Sequence, residues 1–334
     1  MKNYDVYGIG NALVDTEYEV DESFLSYTEL PKGIMTLINE EERQRLIHML
    51  EEEHEIMKQS GGGSAANSMV IISQLGGSAF YSCKVANDAT GDFFIENLKA
   101  TGIDTNLSDD RETGATGQCI SMVTPDAERT MATCLGITNF LSPAELNPDA
   151  LRASAKLYIE GYLVSSNTGL ETALEAQAIA KAAEVDISLT LSDPAIVENF
   201  LPHFERLLNL GVDLLFCNHD EARLLTGHDS VEDCARSLQD ICSKFIITCG
   251  QDGSLGFDGL QFTRINGVPT RAVDTTGAGD IFAGAFLYSL SQSKSFAAAA
   301  ELANRAASLL VTSFGSRLSQ ADVTQHLQNY NKPI

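Results

Sequence analysis

The sequence predicts an α/β protein in which a central, mostly parallel sheet is flanked by helices and capped by a small β-sheet lid. Three observations carry this. From residue 155 onward, short apolar β-type runs alternate with helical patterns, the rhythm of βαβ crossovers. Glycine-rich punctuation follows several of the apolar runs. Two stretches, 16–38 and 115–135, are strand-like with little helical pattern and break the rhythm. They are expected to pair into the lid, leaving 1–15, 39–114 and 136–334 as the large domain.

Taken in order, Tyr4 to Ile9 is an apolar run ending at Gly10, a buried strand. Thr16 to Val20 and Gly33 to Ile38 alternate like exposed strands, and the acidic run Glu40 to Lys58 reads as a helix. Gly61-Gly62-Gly63 precedes Ser64 and a helical run to Leu75, which Gly76-Gly77 closes before the strand Ala79 to Val85. Gly117 to Val123, the turn 124–128 and Arg129 to Leu135 form a hairpin pattern. Then come strands at Ala155 to Ile159, Ile187 to Leu191, Leu214 to Cys217 and Phe245 to Thr248, with helices at Leu170 to Ala183 and Val231 to Leu238.

Charge narrows the function. The 334 residues hold 22 Lys+Arg against 46 Asp+Glu, a net charge of −24, with no basic run. Nucleic acid and anionic membranes are therefore not expected partners. A phosphate ligand would have to be held by backbone N–H groups, a cation and one or two placed bases. The start of the chain is too polar for a signal peptide and no 18-residue apolar run occurs, so a cytoplasmic protein is expected. The seven scattered cysteines fit reduced, buried thiols better than a metal or redox site.

The most informative segment is Asp274-Thr275-Thr276-Gly277-Ala278-Gly279-Asp280, which runs into an apolar helical pattern. Amides 277–280 should be the unpaired donors of a helix amino terminus, a place that attracts anions. Asp280, in the first turn, is placed to accept a proton from a hydroxyl attacking a bound phosphoryl group. A plain turn with an N-cap is the competing reading. Near the amino terminus, Asn11 and Asp15 follow the first strand, and Gly62, Gly63, Ser64 and Asn67 open a helix. Amides, a carboxylate and closely approachable backbone suit a polyhydroxylated ligand, although each polar residue alone would also suit a turn.

Asn218-His219-Asp220-Glu221 follows an apolar strand. Acidic groups there could organise Mg²⁺ through water, or simply open a solvated helix; His219 reads as a surface or capping residue. Thr248, Gly250 and Gly253 mark a tight turn.

The run Asp274 to Asp280 resembles the D-T-x-G-A-G-D signature of the ribokinase/PfkB family of ATP-dependent sugar and nucleoside kinases, and the likeness extends from Gly8 to Gly315. The resemblance implies the ribokinase-like fold, with Asp280 as catalytic base and Gly277, Ala278 and Gly279 as the anion hole. It implies a monovalent cation, K⁺, at Asp274 and Thr276. Substrate binding falls on Asn11, Asp15, Gly62, Gly63, Ser64, Asn67 and Arg129. Nucleotide binding falls on Asn218, Glu221, Thr248, Gly250, Gly253, Asn304 and Gly315, with Glu221 reaching Mg²⁺ through water. Ala127-Glu128-Arg129 approximates a Gly-Glu-Arg turn of adenosine-kinase-like members, so Arg129 either swings over the phosphates or makes an ordinary salt bridge.

The expected activity is transfer from Mg·ATP to a primary hydroxyl of a nucleoside, with a ribokinase- or fructokinase-type sugar kinase as the alternative. Two further readings compete. Gly8-Ile9-Gly10 could open an NAD-dependent oxidoreductase, but Leu13 stands where a third small residue should fall. A non-catalytic ligand-binding regulator is opposed by the intact Asp280. A monomer, or a homodimer paired through the lid, is expected.

Overall fold

The computed structural model describes residues 2–126 and 128–327, so Ala127 of the lid turn lies outside the described residues. The strands in chain order are β1 (Tyr4–Ile9), β2 (Leu13–Glu19), β3 (Met35–Leu37), β4 (Ile56–Gly62), β5 (Ala79–Ser82), β6 (Asp104–Thr105), β7 (Gly117–Val123) and β8 (Arg129–Cys134). They continue with β9 (Ser154–Ile159), β10 (Asp186–Thr190), β11 (Leu214–Asn218), β12 (Phe245–Thr248), β13 (Ser254–Phe257) and β14 (Phe262–Ile265).

Nine of these form one sheet in the order β14-β13-β12-β11-β10-β9-β1-β5-β6. Pairing is parallel from β6 to β12 and antiparallel only for β13 and β14. Because strand side chains alternate, β1 feeds two cores. Val6 packs with Met69, Ile71 and Phe286 on one face, whereas Tyr7 and Ile9 pack with Leu157, Ile187 and Phe204 on the other. Helices cover both faces, as a parallel sheet requires.

The second sheet has the order β3-β8-β7-β2-β4. It takes in more chain than 16–38 and 115–135. β2 begins at Leu13, and β4 occupies part of the run read as the helix Glu40 to Lys58. That helix is Glu40–Glu53, opened by a capping box between Asn39 and Glu42 and ended where His54 turns extended. Ile56 onward is instead drawn into antiparallel pairing with β2. Leu46 and Leu50 of the helix pack with Tyr18, Ile120 and Met122, so the helix is the backing of the small sheet. No helix among the described residues is long and apolar enough to cross a membrane.

Candidate active site

The predicted site residues collect at the carboxyl ends of the parallel strands, where open α/β sheets keep their ligand crevices. Asn11 follows β1, Asn218 ends β11 and Thr248 ends β12. A cavity of about 530 Å³ lined by Asp186, Asp213 and Ser243 sits at the opposite, amino ends of β10 to β12 and meets none of this chemistry.

The Gly-Ala-Gly-Asp run starts the helix Ala278–Ser291, with Gly277 as the N-cap in the left-handed conformation at φ 78°. A Cβ on Gly277 would lie 2.8 Å from the Ser316 carbonyl oxygen, so glycine is needed for both conformation and space. The Ala278 N–H donates to Thr275 O at 3.2 Å. At Gly279 a Cβ would stand in open space. That space belongs to a cavity of about 640 Å³ lined by Thr248, Gly250, Gly253, Ala278, Gly279 and Asn304, among others. The volume suits a nucleotide-sized ligand.

Asp280, partly exposed, is held against the helix Ser64–Gln74. Ser64 Oγ donates to Asp280 Oδ1 at 2.6 Å and Asn67 Nδ2 to Oδ2 at 2.9 Å. Ser68 Oγ binds the Asp280 carbonyl at 2.9 Å. Burial raises the carboxyl above its usual range, while the Ser64 and Asn67 bonds and the Arg317 charge pull it back. The two glycine-opened helices, predicted separately, thus meet side chain to side chain.

The acceptor-side residues are placed by close backbone approach. Gly63 has φ 99°, and a Cβ there would lie 2.2 Å from Asn11 O. On Gly62 a Cβ would fall 2.5 Å from Asp15 Oδ1. Desolvation raises the Asp15 carboxyl to about 6, against the pull of Arg317 and Ser316. Asn11 is held by a residue that the motifs did not reveal. The buried Glu160, just after β9, accepts from Asn11 Nδ2 at 3.0 Å and from the Ala65 N–H at 2.8 Å. Desolvation brings Glu160 to about 7, opposed by the Ala65 and Asn11 amides. Arg317 was also missed; its Nε donates to Asn67 Oδ1 at 2.8 Å. Neither residue sits in a motif.

Other predicted residues turn elsewhere. Asn218 and Glu221 close on each other as a capping box, with Asn218 Nδ2 on Glu221 Oε1 at 2.9 Å and the Asn218 N–H on Oε2 at 2.9 Å. Neither lines the 640 Å³ cavity. Desolvation raises Glu221 to about 7, opposed by the Asn218 amide. Among the described residues no group of three or more His, Cys, Asp or Glu is arranged to hold a metal ion. The donor set therefore fits Mg²⁺ only as an ion carried mainly by phosphates and water, the usual habit of this cation.

Arg129 spans lid and large domain, donating to Asp274 Oδ2 at 3.1 Å, Glu17 Oε1 at 3.0 Å and Ser121 Oγ at 3.2 Å. Asp274 also accepts from the Gly315 and Thr276 N–H groups at 3.0 and 2.9 Å. Against the desolvation of its position, these amides and the Arg129 charge hold the Asp274 carboxyl below its usual range. A monovalent cation at Asp274 and Thr276 would have to compete with that guanidinium. The salt-bridge reading of Arg129 describes its contacts here.

A helix start at Gly277, a carboxylate in its first turn and an adjoining nucleotide-sized cavity could together bind a phosphate and take up the proton of a hydroxyl. The class so defined is that of an α/β phosphotransferase. Residues 34–322 match the pfkB family carbohydrate kinase pattern, and the chain belongs to that family. A probable sugar kinase from Rhizobium etli CFN 42 superposes with a TM-score of 0.86 at 31% identity, covering 97% of this chain and 98% of that one. Adenosine kinase from Sinorhizobium meliloti gives 0.85 at 32% identity, covering 97% and 99%. Ribokinase from Staphylococcus aureus is 29% identical over 261 residues, 76% of this chain and 82% of that protein. The chain is accordingly an ATP-dependent kinase that phosphorylates a hydroxyl of a sugar or nucleoside.

Proposed function

We propose that the acceptor is a nucleoside and that the phosphoryl group goes to its primary, 5′-type hydroxyl. The observation that carries this is the lid face bearing Asp15. Directly paired residues of a sheet point to the same side. Asp15 pairs with Cys119, Cys119 with Thr133 and Thr133 with Leu37; in the neighbouring row Glu17 pairs with Ser121, Ser121 with Met131 and Met131 with Met35. Met35 and Leu37 are 42% and 61% exposed. The Asp15 side of the lid therefore grades from a carboxylate into an apolar margin. Such a surface suits a ligand with a polyhydroxylated end and a flat, apolar end, whereas a free pentose presents hydroxyls all round.

In this reading Asp15 and Asn11 hold the ribose hydroxyls, with Gly62 and Gly63 letting the backbone approach. ATP, which supplies the phosphoryl group, lies in the 640 Å³ cavity against Thr248, Gly250, Gly253 and Asn304. Asp280 retains lone pairs beyond those used by Ser64 and Asn67 and takes the proton of the attacking hydroxyl. The amides of Gly277, Ala278 and Gly279 face the transferred oxygens, the Ala278 N–H after release from Thr275. Mg²⁺ would be carried by the nucleotide, with Glu221 contributing through water and Asn218 fixing Glu221. Arg129 and Gly315 act through Asp274, which they tie to the lid and to the segment after the Phe296–Leu310 helix. We further propose a cytoplasmic enzyme whose lid, if two copies associate, forms the contact.

The test is ADP production with a panel of nucleosides and free pentoses. Turnover that depends on a nucleoside, and falls at least tenfold with ribose, supports the reading. Equal or faster turnover with a free sugar overturns the nucleoside assignment.

A further inference from the structure

The segment after the Phe296–Leu310 helix brings one basic side chain to the acceptor side of the pocket. Arg317 Nε donates to Asn67 Oδ1 at 2.8 Å and Nη1 to Asn97 Oδ1 at 2.7 Å. Its Nη2 is buried with no hydrogen-bond partner among the described residues. Gly61 makes room for it, because a Cβ there would lie 3.1 Å from Nη1 and 3.3 Å from Nη2. A guanidinium kept only for packing would ordinarily be saturated, since a buried unpaired donor is destabilising.

The bond to Asn67 has a directional consequence. An amide side chain can sit either way round, and its neighbours decide which. Here Arg317 requires the oxygen on its own side, which turns the NH₂ group onto Asp280 Oδ2. The flipped amide would set its oxygen against a carboxylate and its NH₂ against a cation. Both neighbours therefore enforce one orientation. Charge acts in the same sense. The titratable groups that feel the Asp280 charge are Arg317, Glu160 just after β9, and the phenols of Tyr81, Tyr158 and Tyr162, and Arg317 acts in turn on Asp15. Arg317 is the cation of this set.

We infer that Arg317 is a positioning residue of the transfer step: it locks the Asn67 amide so that the NH₂ is given to Asp280, and supplies the positive charge beside that carboxylate. The inference rests on the reading of Asp280 as the proton acceptor. Removing the charge favours the protonated carboxyl of Asp280 and also that of Asp15, so the acidic limb is read in kcat, which reports the complex with both substrates bound, and should move to higher pH there.

The test uses the full chain with Arg317→Met and Arg317→Lys, measuring kcat and both KM values across pH. Arg317→Met should lower kcat by roughly 10–100-fold, keep the ATP KM within about threefold, and shift the acidic limb upward. Arg317→Lys should return the limb towards its original position but only part of kcat, because an ammonium lacks the planar fork that fixes Asn67. Added guanidinium ion at low millimolar concentration should raise the turnover of Arg317→Met. A fall in melting temperature with kcat and limb unchanged would make the residue merely structural and overturn the inference. Should Arg317→Met fail to fold, unchanged kcat in Arg317→Lys overturns it equally. Asp280→Asn run in parallel separates the two claims. Turnover retained there defeats the base assignment itself, whereas its loss alongside a normal Arg317→Met defeats only the role of Arg317.

Discussion

Replacing Asp280 by Asn changes one atom and separates chemistry from folding. The carboxylate accepts from Ser64 Oγ at 2.6 Å and from Asn67 Nδ2 at 2.9 Å. The introduced amide can keep both contacts, its oxygen taking the Asn67 NH₂ and its nitrogen donating to the Ser64 hydroxyl, which is free to rotate. The buried charge is lost, and with it the desolvation that raises this carboxyl. Stability at neutral pH should therefore hold or rise. What disappears is the proton acceptor, an effect of roughly 10² to 10⁴ in kcat, or about 2.7–5.4 kcal/mol of barrier. A coupled ADP assay gives kcat and both KM values, and a melting curve on the same sample reports the fold. Loss of turnover with ATP binding retained fits the assignment. A variant that folds and turns over within about threefold of the parent refutes it.

Two further outcomes follow from the site's packing. Asp15 is raised to about 6 and Glu160 and Glu221 to about 7, each first by desolvation, so each holds its proton more tightly folded than unfolded. The stability they contribute is complete below the unfolded values near roughly 4 and is lost as pH rises through about 6–7. The melting temperature should thus be several degrees higher at about pH 5.5 than at about pH 8, and Glu160→Gln should flatten the slope; a flat profile in the parent removes the argument. Gly63→Ala should cost roughly 2 kcal/mol or more, about 3 °C in melting temperature, because φ is 99° and the new Cβ would meet Asn11 O at 2.2 Å; an unchanged melting curve would count against that geometry.

The large sheet was legible because its information is local. Runs such as Phe245 to Thr248 are apolar on both faces, and helices separate the runs. β4 was not legible: Ile56, Met57, Lys58 and Gln59 are all exposed, so they show no alternation, and the acidic helix runs on towards them without a break. Their strand character comes from pairing with β2, a partner about forty residues away. The site divides in the same way. Asp280, Gly63 and Asn67 stand in contiguous motifs whose glycines and polar residues have a readable purpose. Glu160 and Arg317 are single residues that reach the site from 149 and 250 positions away from Asn11 and Asn67. Nothing beside Glu160 in the chain signals that role, and Gly315 marks the segment of Arg317 without marking the arginine.

The stretch 311–317 touches several parts of the pocket in turn. The Val311 carbonyl accepts from the Val273 N–H, the Gly315 N–H meets Asp274, Ser316 crowds Gly277 and reaches Asp15, and Arg317 grips Asn67. For an engineer hoping to retarget such an enzyme, this sets the size of the transplant. A swapped lid alone would leave half of the acceptor machinery behind in the recipient, and a graft that respects the wiring must carry this short ribbon along with it.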